Sequence, residues 1–175
     1  AKGYEGIEEG EGAFRDGYLY TGDLGYMAAH ELFVCGRSKE IIKSRGRTYY
    51  PQDIEWATAQ VEGVRFGAVA AFGVPGAEGT ELIVVVVERA KGTDIPERKL
   101  KAAIRREVGD GVGILIDRVV VGGKGAISKT SSGKIQRTKI RKRYMKGEFG
   151  DLGKDDIALD ANWDKLNSAG KEEES

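Results

Sequence analysis

Gly36-Arg37-Ser38-Lys39-Glu40-Ile41-Ile42-Lys43-Ser44-Arg45-Gly46-Arg47-Thr48-Tyr49-Tyr50-Pro51-Gln52-Asp53-Ile54-Glu55 holds, in twenty residues, a Gly-Arg pair, a charged segment, a short apolar strand, an Arg-Gly-Arg turn and a helix opened by proline. Glu40 to Ser44 and Arg47 to Tyr50 read as a small hairpin, with Gly46 supplying the positive φ of a tight turn. Pro51 suits the first turn of a helix, where a missing N–H costs nothing. Ile54, Ala57, Thr58 and Val61 then fall on one helical face, and Gly63 is expected to end the helix.

Working outward, Phe14 to Asp23 reads as a strand running into a turn at Thr21-Gly22-Asp23. Leu24 to Met27 and Glu31 to Cys35 read as a hairpin joined by Ala28-Ala29-His30. Downstream, Val64 to Val74 and Glu81 to Glu88 are the best strands and are expected to pair antiparallel. The run Ile83-Val84-Val85-Val86-Val87 predicts a strand buried on both faces. Thr93 or Asp94 is expected to cap a helix carrying Leu100, Ala103, Ile104 and Val108, which the glycines from Gly109 to Gly113 should stop. Ile114 to Val121 reads as a third strand, Gly122 to Gly133 as a loop, and Ile135 to Lys146 as a basic helix anchored by Ile135, Ile140 and Tyr144. After Phe149 the chain is polar and acidic, with Ile157, Leu159, Trp163 and Leu166 as a possible docking turn. The sum is a small α+β domain, a short β-hairpin plus a central sheet of about three strands flanked by helices.

The composition narrows the function classes. The 175 residues carry 28 basic and 28 acidic side chains, so net charge points to neither nucleic acid nor membrane. The neutrality is a sum of unlike parts: eight Lys/Arg and no acid from Lys129 to Lys146, then eight acids against three lysines from Asp151 to Ser175. A single cysteine, Cys35, excludes an internal disulfide and a Cys-based zinc site, and a reducing, cytoplasmic setting is expected. No apolar run is long enough for a membrane span, and Ala1 opens no signal-peptide pattern. The polar start without Met reads as a cut inside a longer chain.

Three places hold groups suited to chemistry. Asp23, at a glycine turn after a strand, can accept one bond per oxygen from two vicinal hydroxyls; taken alone, it reads first as the cap of its turn. Arg37 offers a fork for phosphate or ribose oxygens, or a surface ion pair. Lys129-Thr130-Ser131-Ser132-Gly133-Lys134 is not a P-loop, because its glycine spacing is wrong and no hydroxyl follows the lysine. Lys134 on such a loop can stabilise charge developing between a carboxylate and an α-phosphate, or be merely solvated. Cys35 has no histidine placed to activate it. The basic helix can meet an acidic partner or phosphates, or simply face water.

The ordered set Tyr20-Thr21-Gly22-Asp23, Gly36-Arg37-x-Lys39-Glu40-x-Ile42-Lys43-x-Arg45-Gly46, Pro51-Gln52-Asp53-Ile54-Glu55 and Lys129-Thr130-Ser131-Ser132-Gly133-Lys134-Ile135-Gln136-Arg137 resembles the adenylate-forming superfamily of acyl-CoA synthetases, luciferases and peptide-synthetase adenylation domains. The likeness covers about Tyr18 to Phe149. The Tyr49 to Glu55 segment and the helix after Lys134 look most like fatty acyl-AMP ligases. The resemblance implies that Asp23 holds the ribose hydroxyls of ATP and that Arg37 reaches its ribose or phosphate. It implies that Lys39 is the hinge and that Lys134 promotes adenylate formation. Arg45, Gly46 and Arg47 would form the loop turned toward the pantetheine channel in the second half-reaction. It further implies ATP with Mg2+, bound mainly by an N-terminal domain outside this chain, and a 4'-phosphopantetheine thiol on the acceptor.

Three positions depart from the family pattern. Ser128 stands where proline is frequent, which predicts a looser loop before Lys134; Asp53 replaces the commoner Glu, and Tyr20 a frequent Arg or Lys. The phosphate loop, the adenine pocket and the acyl tunnel belong to the absent N-terminal domain. The expected division is residues 1–38 as the poorly anchored tail of that domain, 39–149 as a mobile C-terminal domain and 150–175 as an acidic, partly disordered tail. The implied function is a fatty-acid–AMP ligase passing its acyl group to an acyl carrier protein, this fragment alone being inactive. The alternatives are a coenzyme A ligase of the same superfamily and a non-catalytic module binding carrier protein or nucleic acid.

Overall fold

The computed structural model describes residues 14–15, 17–76 and 79–150. The expected docking turn at 157–166 lies outside them. The chain divides into two compact units, Ala1–Lys39 and Glu40–Ser175.

In the first unit the single strand expected from Phe14 to Asp23 is instead broken in two. β1 (Phe14–Arg15) pairs with β2 (Tyr18–Leu19) across Gly17, whose φ of 79° reverses the chain. β3 (Asp23–Ala28) and β4 (Glu31–Arg37) form the expected hairpin, slightly longer at both ends. Its turn residues Ala29 and His30 both have positive φ, the left-handed pair that matches strand twist. Tyr26 and Phe33, directly opposed, stack with ring centroids 5.2 Å apart. A bulge follows Leu24, and a Cβ on Gly25 would sit 2.6 Å from the Phe33 carbonyl oxygen, so only glycine fits there.

A 3-10 turn, Ser38–Glu40, leads to the second unit. β5 (Ile42–Ser44) and β6 (Arg47–Tyr49) form the second hairpin around Arg45 and Gly46, with φ of 50° and 71°. α1 (Pro51–Ala59) starts at proline as expected but ends before Gly63. β7 (Val64–Pro75) and β8 (Glu81–Arg89) are antiparallel. β9 (Arg118–Gly122) joins β8 in parallel, giving the order β7-β8-β9. A parallel return requires a crossover, and α2 (Glu97–Val112) supplies it.

Alternation along β8 builds two cores. Ile83, Val85 and Val87 face α1 and α2, joining Ile54, Ala57, Leu100, Ile104 and Val108. Val84 and Val86 face the other way, against Ile140 and Tyr144 of α3 (Arg137–Met145) and Phe72. All five residues of the run are fully buried, as their β-branched pattern requires.

Three further sequence expectations are corrected. Neither Thr93 nor Asp94 caps α2, because Pro96 is the cap residue and both stand too far upstream; Thr93 Oγ1 accepts the Ile95 amide at 3.4 Å instead. α2 passes through Gly109 and Gly111, held by Val108 and Val112 packing on one face, and stops only at Gly113 in the left-handed conformation. β9 begins at Arg118 rather than Ile114: Ile114 and Ile116 are buried, yet Leu115 between them points to solvent.

Candidate functional site

Within the first unit, the β3–β4 register puts Asp23 directly opposite Arg37. Asp23 Oδ1 lies 3.6 Å from Arg37 Nε, with the Arg37 side chain 70% and the Asp23 side chain 40% exposed. Gly22, at φ 73°, makes the turn that presents Asp23; its carbonyl accepts the Ser38 amide at 2.8 Å, and the Asp23 amide donates to Thr21 Oγ1 at 3.1 Å. A carboxylate and a guanidinium are thus held side by side with unused oxygens and N–H groups. Lys39 lies exposed in the 3-10 turn.

In the second unit, Lys134 sits exposed near the end of a closed loop. The Thr130 amide donates to the Lys134 carbonyl at 2.8 Å, the Lys134 amide to Thr130 Oγ1 at 3.0 Å, and Thr130 Oγ1 meets Ser132 Oγ at 2.9 Å. Gly133, at φ 83°, allows that reversal, and Lys129 bridges Ile135. The hydroxyls therefore shape the loop and leave the lysine ammonium facing outward. Ser128 does not leave the loop unsupported: its carbonyl accepts the Gln136 amide at 2.9 Å and its hydroxyl accepts from Arg143 at 3.4 Å.

The root of this loop hangs from Glu88, a buried carboxylate at the end of β8. Glu88 Oε1 accepts the amides of Gly125 at 2.9 Å and Ile127 at 3.1 Å, and Oε2 meets Arg65 at 2.5 Å. Burial opposes ionisation here, but the Ile127 amide, Arg65 and the Gly125 amide outweigh it and hold the carboxyl below its ordinary range.

The other turn, Arg45-Gly46-Arg47, hangs from the opposite end of the same strand. Glu81 Oε2 accepts the Lys43 amide at 2.6 Å, and Thr80 Oγ1 accepts the Arg45 amide at 3.0 Å. The Arg45 guanidinium pairs with buried Asp117 although the side chain stays nearly half exposed, while Gly46 and Arg47 face solvent beside it. Glu81 and Glu88 are seven residues apart on β8, which separates the two loop roots by about 23 Å.

The sequence reading missed the group that ties the start of α3 to α1 and to Glu40. Arg137, three residues after Lys134, donates through Nε and Nη2 to both oxygens of Glu55 at 2.7 Å and through Nη1 to Glu40 Oε2 at 2.6 Å. Glu55 Oε1 also accepts the Ala71 amide at 3.0 Å. The Glu55 bond is the main reason the guanidinium holds its proton more tightly than usual, against the cost of burial, with Glu40 adding to it. The two acids and the arginine stand in the quoted motifs, but the motifs do not say that they meet. Among the described residues no group of three or more His, Cys, Asp or Glu could hold a metal ion, and no helix is long and apolar enough to cross a membrane.

A family model described as the Disco-interacting protein 2-like AMP domain matches residues 39–152. The medium-chain-fatty-acid–acyl-carrier-protein ligase JamA of Moorena producens is 39% identical over 80% of this chain and 23% of its own length. The long-chain-fatty-acid–AMP ligase FadD32 of Mycobacterium marinum is 35% identical over 79% of this chain and 26% of its own. Among solved structures, McyG A-PCP complexed with phenylalanyl-adenylate aligns with a TM-score of 0.71 at 28% identity, over 92% of this chain and 24% of that one. The chain spans about a quarter of the length of the proteins it matches.

Proposed function

The chain belongs to the adenylate-forming enzymes, in the group of the Disco-interacting protein 2-like AMP domain, and on that premise we propose that it is the C-terminal part of a fatty-acid–AMP ligase. In the first half-reaction a fatty-acid carboxylate attacks the α-phosphate of ATP, pyrophosphate leaves and acyl-AMP remains. In the second, a phosphopantetheine thiol attacks the acyl carbon, forming a thioester and releasing AMP. Asp23 and Arg37 hold the ribose and a phosphate, Lys134 stabilises the charge of the first step, and the Arg45-Gly46-Arg47 turn serves the second. Mg2+ arrives with ATP. Residues 1–38 belong with the nucleotide-holding body, residues 39–149 swing about Lys39, and the enzyme works in the cytoplasm.

The observation that carries this reading is the pair of loops rooted at opposite ends of β8, one on Glu81 and one on Glu88. Two chemically distinct loops on one rigid sheet suit a domain that rotates to offer each in turn. The acceptor is read as an acyl carrier protein, a reading supported by the likeness to JamA, whose name specifies that acceptor. The full ligase, given fatty acid, ATP and Mg2+, should accumulate acyl-AMP and load a phosphopantetheinylated carrier protein. Efficient acyl-CoA formation would replace the carrier protein by coenzyme A, and no acyl-AMP with either acceptor would end the proposal.

A further inference from the structure

Arg45 is one of three residues other than glycine with a left-handed backbone among those described, at φ 50°. A side-chain-bearing residue there costs on the order of 1 kcal/mol and persists only where its surroundings impose it. The surroundings are specific. Asp117 lies at the entry to β9, almost fully buried, and its two oxygens do different work. Oδ2 accepts the Ile83 amide at 2.7 Å, while the Asp117 amide donates to the Ile83 carbonyl at 3.0 Å, so the carboxylate is locked to the central strand. Oδ1 takes the Arg45 guanidinium, whose Nη1 also reaches the Leu115 carbonyl at 3.4 Å. With Thr80 and Glu81 on the backbone amides, the turn is held from two separate segments of the chain, 80–81 and 115–117.

We infer that Asp117 is a positioning residue for acyl transfer: through Arg45 it fixes the turn that carries Gly46 and Arg47, without itself meeting substrate. The inference rests on the reading of that turn as the acceptor-side loop. It reassigns Arg45 from a group facing the acceptor to the anchor of the loop, and leaves Arg47 as the cation available to an incoming phosphate-bearing arm. Asp117 lies some seventy residues from the turn and stands in none of the quoted motifs.

The test separates the half-reactions in the full ligase carrying Asp117→Asn, or Arg45→Lys, which keeps the charge and removes the fork. Adenylate formation, read by pyrophosphate exchange, should stay within about twofold, while the kcat for transfer from supplied acyl-AMP to a phosphopantetheine thiol falls about tenfold or more, as a misplaced loop requires. Amide hydrogen exchange should rise over residues 42–49 and not over 129–137. Unchanged exchange at 42–49 would overturn the role of Asp117 and leave the ligase reading intact. Increased exchange with normal transfer would show that the turn does not serve transfer. Equal loss in both half-reactions would reduce Asp117 to a structural residue. If the unsubstituted enzyme made no thioester from acyl-AMP, the underlying reading itself would fall.

Discussion

Replacing Arg137 by glutamine removes the one side chain among the described residues that bonds both Glu40 and Glu55. Three charge-assisted bonds are lost, at 2.6 to 2.7 Å. The side chains of Arg137, Glu55 and Glu40 retain 16%, 11% and 23% of their exposure, so the pair is nearer to a buried than to a surface one. Removing one partner of a buried pair costs about 3–5 kcal/mol, because the other is left charged and desolvated. The residual exposure puts the loss at the lower end, about 3 kcal/mol, a large part of the 5–15 kcal/mol typical of a whole domain. That corresponds to a fall in Tm of about 10–15 °C. Urea unfolding at pH 7, followed by circular dichroism, reads it directly. Glu55→Gln keeps an acceptor for the Ala71 amide while removing the charge, so Arg137→Gln/Glu55→Gln should lose less than the two singles together, by about 1 kcal/mol or more. A loss below about 0.5 kcal/mol for Arg137→Gln, the value of an exposed pair, would refute the reasoning, as would strict additivity.

Glu88→Gln should destabilise the chain by about 2 kcal/mol at pH 7, since it breaks the Arg65 pair and weakens the hold on the Gly125 and Ile127 amides. Because the folded state lowers the Glu88 pKa, its contribution is fully present above the unfolded carboxyl value of about 4.3 and is lost as pH falls through the lower folded value. The gap between the two proteins should therefore narrow as the pH falls below about 4, and a gap that does not narrow in acid would contradict this. Gly46→Ala meets no atom within 4 Å, so its only cost is the left-handed backbone at φ 71°, about 1 kcal/mol by denaturant titration. A loss above about 3 kcal/mol would mean that the position is crowded rather than strained.

Much of the fold was legible where local physics decides it. The Ile83–Val87 run could only be a strand covered on both sides, Pro51 could only open α1, and Arg45-Gly46 could only turn a hairpin. The α2 boundaries were not legible because tertiary packing outweighs local signals there. Val108 and Val112 bury one face and carry the helix past two glycines, and Pro96 moves its start beyond Thr93 and Asp94. Asp23 and Arg37 flank the predicted hairpin, but it is the bulge after Leu24, not the simple register, that sets them opposite each other. The partners of Arg137 lie 82 and 97 residues away, and Asp117 lies 72 from Arg45. Charge alone does not choose among so many acids and bases in a chain with 28 of each.

The central claim is that Lys134 serves one half-reaction from a loop rooted at one end of β8 while the Arg45–Arg47 turn serves the other. Lys134→Ala in the full ligase tests it, since the exposed ammonium bears none of the bonds that shape its loop. Pyrophosphate exchange should fall by about a hundredfold or more, as expected for losing one charge-stabilising group. Transfer from supplied acyl-AMP to the carrier-protein thiol should stay within about twofold of the unsubstituted enzyme. Equal loss in both steps, or retained exchange, would contradict the account.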